Sequence, residues 1–189
     1  MALMTPARPA DDIAEILVKA DVIAAKVKEL GVRIAADYQG KDLVLVSILK
    51  GALPFLADLM RATQIPLALD FLEVSSYGAE TESTGVVRIL KDIAKPIEAR
   101  DVLVVEDILD TGQTLSYVIE HLRAQRPASI RLCVLLDKPA RRVVPIEIDY
   151  RGFEIPDKFV VGYGLDYAER YRNLPFVGVL KPEVYARES

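Results

Sequence analysis

The period of the hydrophobic positions changes several times along the chain, and each change predicts an element. Behind Asp11 and Asp12, the apolar residues Ile13, Ile16, Leu17, Val22, Ile23, Val27 and Leu30 recur at helical spacing. Acids in a first turn complement the helix dipole, so the pattern predicts a helix from Asp11 to Gly31, resuming toward Tyr38. Gln39-Gly40-Lys41-Asp42 has turn chemistry, and Leu43 to Leu49 is a nearly unbroken apolar run of strand length. Lys50-Gly51 follows at once. A helix is predicted over 52–63, with Pro54 in its first turn, where its missing N–H is tolerated. Leu67 to Ser75 alternates as a strand. Residues 76–85 then break pattern as a long polar segment, either a ribbon tip or a lid, before strand character returns from Val86 to Leu90. Residues 91–100 are a charged connection.

The chain is organised around Val102 to Leu115. Four apolar residues, Val102 to Val105, lead into Glu106, Asp107 and Asp110 and then into Thr111-Gly112-Gln113-Thr114. The apolar run reads as a buried parallel strand, and helical spacing follows Thr114. The acids and the turn therefore sit where open α/β sheets bind ligands and where helix N-termini favour anions. Like charges about 4 Å apart repel by roughly 1 kcal/mol in water and about four times that at intermediate dielectric. Three crowded acids want a cation, a polyhydroxyl ligand or a proton, while the turn wants an anion. A phosphorylated sugar carried with a divalent metal answers both. The plainer alternative is a solvated acidic loop near a helix cap. Lys50-Gly51 is a second strand–turn–helix junction with a cation where an anion would bind; there the plainer alternative is a solvated lysine beside a permissive glycine.

Beyond the central motif, 115–124 reads as helix, Ser129 to Leu136 as strand, Ile146 to Tyr150 as a short strand, Phe159 to Gly164 as a glycine-bearing strand and Val177 to Leu180 as the last strand. Arg141 and Arg142 read as a solvated pair. Strands alternating with helices predict an α/β fold: a mainly parallel twisted sheet flanked by helices. The expected organisation is a flexible tail over 1–10 and a single domain over 11–189. Its core covers about 38–145, with an antiparallel hood from the N-terminal helix, the polar ribbon and about 146–189.

Composition narrows the chemistry. The 189 residues are 51% apolar and 28% charged with net charge −4, which announces no basic face for nucleic acid. Cys133 is the single cysteine and lies in an apolar run, so it reads as a buried, inert thiol in a reducing compartment. With one histidine, His121, no zinc cluster is available, and a metal would be a hard, oxygen-bound ion such as magnesium. The N-terminus lacks a signal pattern and no apolar run is long enough to span a bilayer, so a cytoplasmic protein is expected.

Val-Val-Glu-Asp-Ile-Leu-Asp-Thr-Gly-Gln-Thr resembles the phosphoribosyl-pyrophosphate signature of type I phosphoribosyltransferases, and the Glu-Asp pair with Asp110 resembles their 6-oxopurine, hypoxanthine-guanine branch. Leu49-Lys50-Gly51, Ser75-Ser76-Tyr77-Gly78, Leu136-Asp137-Lys138 and the run from Gly152 to Tyr163 through Leu165-Asp166-Tyr167 are similar to that family's segments, in its order. The resemblance covers roughly 12–181. It implies that Asp110, Thr111, Gly112, Gln113 and Thr114 hold the 5′-phosphate, and that Glu106 and Asp107 face the ribose hydroxyls directly or through magnesium. Lys50, Gly51 and Arg172 would bind pyrophosphate, with the Leu49–Lys50 peptide often cis in the family. The purine would stack on Phe159, meet Val160 backbone groups and receive a hydrogen bond from Lys138 at O6. Asp166 would serve a second magnesium and the purine's C2 side. Asp110 would be the general base at N7, and Ser76 and Tyr77 would belong to a lid. The resemblance also implies a homodimer or homotetramer. Gln113 stands where relatives also carry lysine or asparagine; a backbone-built cradle tolerates the change.

Two other readings stay within reach of the residues. One is a xanthine- or adenine-directed transferase, although a lysine at position 138 donates to a 6-oxo group and cannot accept from an adenine amino group. The other is an RNA-binding regulator on the same fold, which would need a basic surface that a net charge of −4 does not offer.

Overall fold

The computed structural model describes residues 8–76 and 87–185; residues 1–7, 77–86 and 186–189 lie outside it, together with Tyr77, nearly all of the expected ribbon or lid and most of the expected tail. In chain order the main elements are β1 (Ile13–Val18), α1 (Ala20–Asp37), β2 (Leu43–Leu49), α2 (Leu53–Ala62), β3 (Ala68–Ser76) and β4 (Val87–Lys91). They continue with β5 (Asp101–Leu109), α3 (Gln113–Arg123), β6 (Ser129–Asp137), β7 (Tyr150–Glu154), β8 (Val160–Val161) and β9 (Val177–Leu180).

Six strands form one sheet in the order β4-β3-β2-β5-β6-β7, parallel except for the β3–β4 pair. β2 and β5 occupy its centre, and their apolar runs are buried because both sheet faces are covered. Leu43, Leu45, Leu103 and Val105 pack with α1 and α2 on one face. Val44, Val46, Val102 and Val104 pack with Leu115, Val118 and Leu122 of α3 on the other. Buried Cys133 sits in the first layer, where burial pushes its thiol far above the ordinary range. Strands β1, β9 and β8 make a separate antiparallel sheet of three strands.

Several expectations need correction. Ile13–Val18 is a strand, paired with Val177–Leu180, and not the start of a helix. Asp11 and Asp12 instead close a short 3-10 turn over Pro9–Asp12. The helix begins at Ala20 and runs through Gly31 without a break. Gly31 is there for packing: a Cβ on it would lie 2.6 Å from Ala62, so its absence lets α1 approach α2. The N-terminal contribution to the small sheet is thus strand β1, while α1 belongs to the core layer. Strands β3 and β4 belong to the main sheet, and the polar segment between them, expected in the hood, lies outside the described residues. Residues 146–149 are not strand; pairing with β6 begins at Tyr150. Only Val160–Val161 of the predicted 159–164 strand is extended ladder. Among the described residues, no helix is long and apolar enough to cross a membrane.

Candidate active site

The carboxyl ends of β2, β5 and β6 lie side by side at the sheet's centre, and each delivers chemistry to the same edge. From β5, consecutive residues of an extended strand point to opposite faces. Glu106 accordingly lines a small cavity of about 130 Å³ with Ile48, Asp110, Thr111, Gly112 and Thr114. Its Oε1 accepts a hydrogen bond from the Ile48 N–H at 3.0 Å. Burial and neighbouring Asp107 push the Glu106 carboxyl well above its usual range, against the pull of that hydrogen bond. Asp107 lies on the other side, against Gly51. Burial pushes its carboxyl up to about 6, opposed by the Ile108 backbone N–H and by Arg172, and reinforced by Asp166.

The turn after β5 is shaped by Gly112, whose φ of +84° suits glycine and caps α3. A Cβ there would fall 2.7 Å from the Val144 carbonyl. The Thr111 carbonyl accepts the N–H groups of Val143 and Val144 at 2.9 and 3.0 Å, so the turn is braced by the segment after β6. At the start of α3 the Gln113 N–H donates to Thr111 Oγ1 at 3.4 Å, and the first-turn N–H groups have no partner within the helix, so this end favours an anion.

Arg142 does the bracing from the side. Its Nε donates to the Asp110 carbonyl at 2.9 Å and its Nη2 to the Leu109 carbonyl at 3.2 Å. Nη2 also pairs with Asp137 Oδ1 at 2.5 Å, and Arg151 Nε meets Asp137 Oδ2 at 3.0 Å. Asp137 is only 2% exposed, so both arginines compensate a buried charge. Neither Arg142 nor Asp137 was singled out by sequence reasoning, and Arg142 is not the solvated residue expected. A usable signal was present: an acid closing an apolar strand needs a nearby cation. Its neighbour Arg141 is more open and lies 3.6 Å from Asp110 Oδ1, an oxygen that is buried without a hydrogen bond.

Lys138 is 4% exposed and its Nζ pairs with Asp157 at 3.1 Å. Its backbone N–H donates to the Leu109 carbonyl at 3.0 Å, which ties it to the start of the Asp110 turn. Phe159 is 50% exposed, with Tyr167 edge-on at 5.9 Å. Val160 is buried in the small sheet opposite Val179.

A third group gathers around Gly51. The Leu49–Lys50 peptide is cis. The Gly51 carbonyl packs against Gly164, where a Cβ would fall 1.8 Å away, and Gly164 has φ +103°. Arg172 donates through Nη1 to the Gly164 carbonyl at 2.9 Å and pairs with Asp166 at 2.9 Å. Lys50 reaches toward the same loop, 3.4 Å from Glu169. Lys50, Gly51, Asp107, Asp166 and Arg172 are therefore one cluster, whereas Glu106 belongs to the Asp110–Thr114 cavity. Ser76 ends β3 at this sheet edge.

Among the described residues no three acidic, histidine or cysteine side chains converge as a ready-made metal cage. Asp107 and Asp166 do offer hard oxygen donors, and their mutual repulsion favours a cation between them. That donor set fits magnesium, which keeps several waters and is commonly completed by substrate phosphates. A larger hollow of about 320 Å³ lies between α3 and 145–149, away from this edge. Arg123 pairs there with Glu120 and Arg131 with Asp149, and none of Lys50, Glu106, Asp107, Asp110, Lys138 or Arg172 lines it.

The phosphoribosyl transferase domain family matches residues 14–168. A hypoxanthine-guanine phosphoribosyltransferase of Bacillus subtilis is 52% identical over 92% of this chain and 97% of its own length. This chain belongs to the hypoxanthine-guanine phosphoribosyltransferase family. The fold agrees: the crystal structure of a hypoxanthine phosphoribosyltransferase from Staphylococcus aureus superposes with a TM-score of 0.91 at 50% identity, covering 96% of this chain and 98% of that one. The chain is also 51% identical over 93% of its length to the bifunctional protein TilS/HprT of Listeria innocua, of which it spans 27%. The Asp110 turn, Lys138 and the Gly51 group thus lie along one sheet edge in a chain of this family.

Proposed function

We propose that this protein is a purine salvage enzyme. It transfers the 5-phosphoribosyl group of phosphoribosyl pyrophosphate to hypoxanthine or guanine, giving IMP or GMP and pyrophosphate. The observation that carries this reading is that the Asp110 turn, Lys138 and the Lys50–Arg172 cluster share one sheet edge in a chain of this family.

The N–H groups and hydroxyls of the 110–114 turn hold the 5′-phosphate, and Gly112 lets the backbone close on it. Glu106 and Asp107 face the ribose hydroxyls. The base stacks on Phe159, takes the Lys138 ammonium at O6 and meets Val160 and Asp166 at its other edge. Bond making is simple to balance: N9 bonds to C1 of the ribose, and the C1–O bond breaks with its electron pair leaving on pyrophosphate. The N7 proton passes to Asp110. Lys50, Gly51 and Arg172 stabilise the departing charge in an oxocarbenium-like transition state. Magnesium held by Asp107 and Asp166, with Glu106 nearby, would add positive charge at the phosphates. Since Asp110 belongs to the phosphate turn, seating the sugar also positions the base for proton transfer. Ser76 and Tyr77 begin the lid that keeps water from the cation. The protein acts on these small molecules in the cytoplasm, as a homodimer or homotetramer; half-exposed Ile16, Val22 and Val32 offer apolar surface for assembly.

The test is turnover of hypoxanthine, guanine, xanthine and adenine with the phosphoribosyl donor, with magnesium and in excess chelator. Hypoxanthine or guanine should be used with magnesium only. Preference for adenine, or full rate in chelator, would reject the reading.

A further inference from the structure

The loop from Asp166 to Arg172 has an unusual backbone. Ala168, Glu169 and Tyr171 have φ of 50°, 62° and 75°, a region non-glycine residues seldom adopt. Reciprocal backbone hydrogen bonds between Tyr167 and Arg170, at 3.2 and 3.0 Å, hold it, and the Glu169 N–H donates to Asp166 Oδ2 at 3.0 Å. The loop backbone thus carries Glu169 beside Lys50 and Arg172. Its two oxygens each lie 3.4 Å from Lys50 Nζ, and Oε2 lies 3.4 Å from Arg172 Nη2. One carboxylate thus bridges the two cations assigned above to pyrophosphate. The pull of Lys50, then of Arg172, holds the Glu169 carboxyl below its usual range. Both contacts are long, and the Lys50 and Glu169 side chains are mostly solvent-exposed, so the bridge is loose. Among the described residues Lys50 has no other anionic partner.

We propose that Glu169 is a tethered competitor of pyrophosphate: its carboxylate bridges Lys50 and Arg172 and must give them up when a diphosphate binds. It thereby weakens the subsite for donor and product alike. The benefit is release, since an unpaired Lys50 beside Arg172, whose remaining anionic partner is Asp166, would hold the pyrophosphate product more firmly, and product release limits turnover in many enzymes. This inference rests on the phosphoribosyl-transfer reading of the site.

The test is calorimetric binding of inorganic pyrophosphate with magnesium to the parent protein and to Glu169→Gln and Glu169→Gly. The glutamine keeps the shape without the charge. The glycine removes the side chain and suits the positive φ, so folding is favoured. Both variants should bind pyrophosphate about 3- to 10-fold more tightly, the scale of one or two weak ion pairs. The KM for the donor should fall in step, while the KM for the purine stays unchanged. Equal or weaker pyrophosphate binding in both variants would overturn the proposal, weaker binding meaning that Glu169 positions the cations or a metal. A parent that neither binds pyrophosphate nor turns over a 6-oxopurine would instead reject the underlying reading.

Discussion

The α-carbon of Gly51 abuts the carboxylate of Asp107: a Cβ at position 51 would lie 1.9 Å from Asp107 Oδ2. The carbonyl of the same residue packs on Gly164, where a Cβ would fall 1.8 Å from it. Gly51→Ala should therefore displace a buried acid or the Lys50 loop. We expect kcat/KM to fall on the order of 100-fold, the scale of an ångström misplacement near reacting groups. Overpacking should cost about 1–3 kcal/mol of stability. Steady-state kinetics beside thermal melting checks both; near-parental kcat/KM would mean the contact relaxes freely.

The same burial makes Asp107 a pH-dependent load on the ligand-free protein. Its carboxyl is pushed up from 3.8 to about 6, so in that window the folded protein keeps a proton the unfolded chain has lost. Folding is then disfavoured progressively as pH rises from about 4 through 6. Asp107→Asn removes this load and also relieves Glu106, which Asp107 pushes the same way. The variant's melting temperature should gain on the parent's between pH 4.5 and 7.5. A difference independent of pH would refute the assignment.

Asp110 should carry the proton. Asp110→Asn keeps the volume and the turn, whose carbonyl contact with Arg142 is backbone-made. Turnover should drop by about 10²–10⁴-fold, the range for a positioned acid–base group, with little change in donor KM. Parental turnover would remove Asp110 from the mechanism.

Arg142 should matter through position and not through substrate contact. Arg142→Ala leaves buried Asp137 with Arg151 alone and frees the Asp110 carbonyl, while the Leu109 carbonyl keeps the Lys138 N–H. Breaking such a pair costs on the order of 3–5 kcal/mol, readable by denaturant unfolding. Arg142→Lys should recover part of the stability but not the forked contact, and so less of the donor affinity. An unchanged unfolding midpoint in the alanine variant would contradict this.

Lys138→Ala should raise the KM for hypoxanthine about 10- to 100-fold, the worth of a charged hydrogen bond, and leave the donor KM within about 2-fold. A variant whose donor KM rises as much as its purine KM would show that Lys138 serves the Asp110 turn and not the base.

What could be read from the chain unaided was local. Val102–Thr114 announced its strand, turn and helix because each depends on neighbours in sequence: an apolar run, a glycine able to take φ +84°, and helical spacing beyond. Leu43–Leu49 was legible to the residue for the same reason. Ile13–Val18 was not. Its spacing suits either period, and it becomes strand because Val177–Leu180 lies beside it, which no local pattern encodes. Glycine 31 misled similarly: it reads as a stop, yet a close approach to Ala62 explains it. The motifs around Lys50, Asp107, Asp110, Lys138 and Arg172 singled out the candidate side chains. Only the tertiary structure divided them, sending Glu106 to the cavity beside the Asp110 turn and Asp107 to Gly51 and Arg172, and adding Arg142, Asp137 and Glu169. Those assignments depend on contacts between distant segments, and a contact of that kind is decided by how the sheet and its covering layers pack.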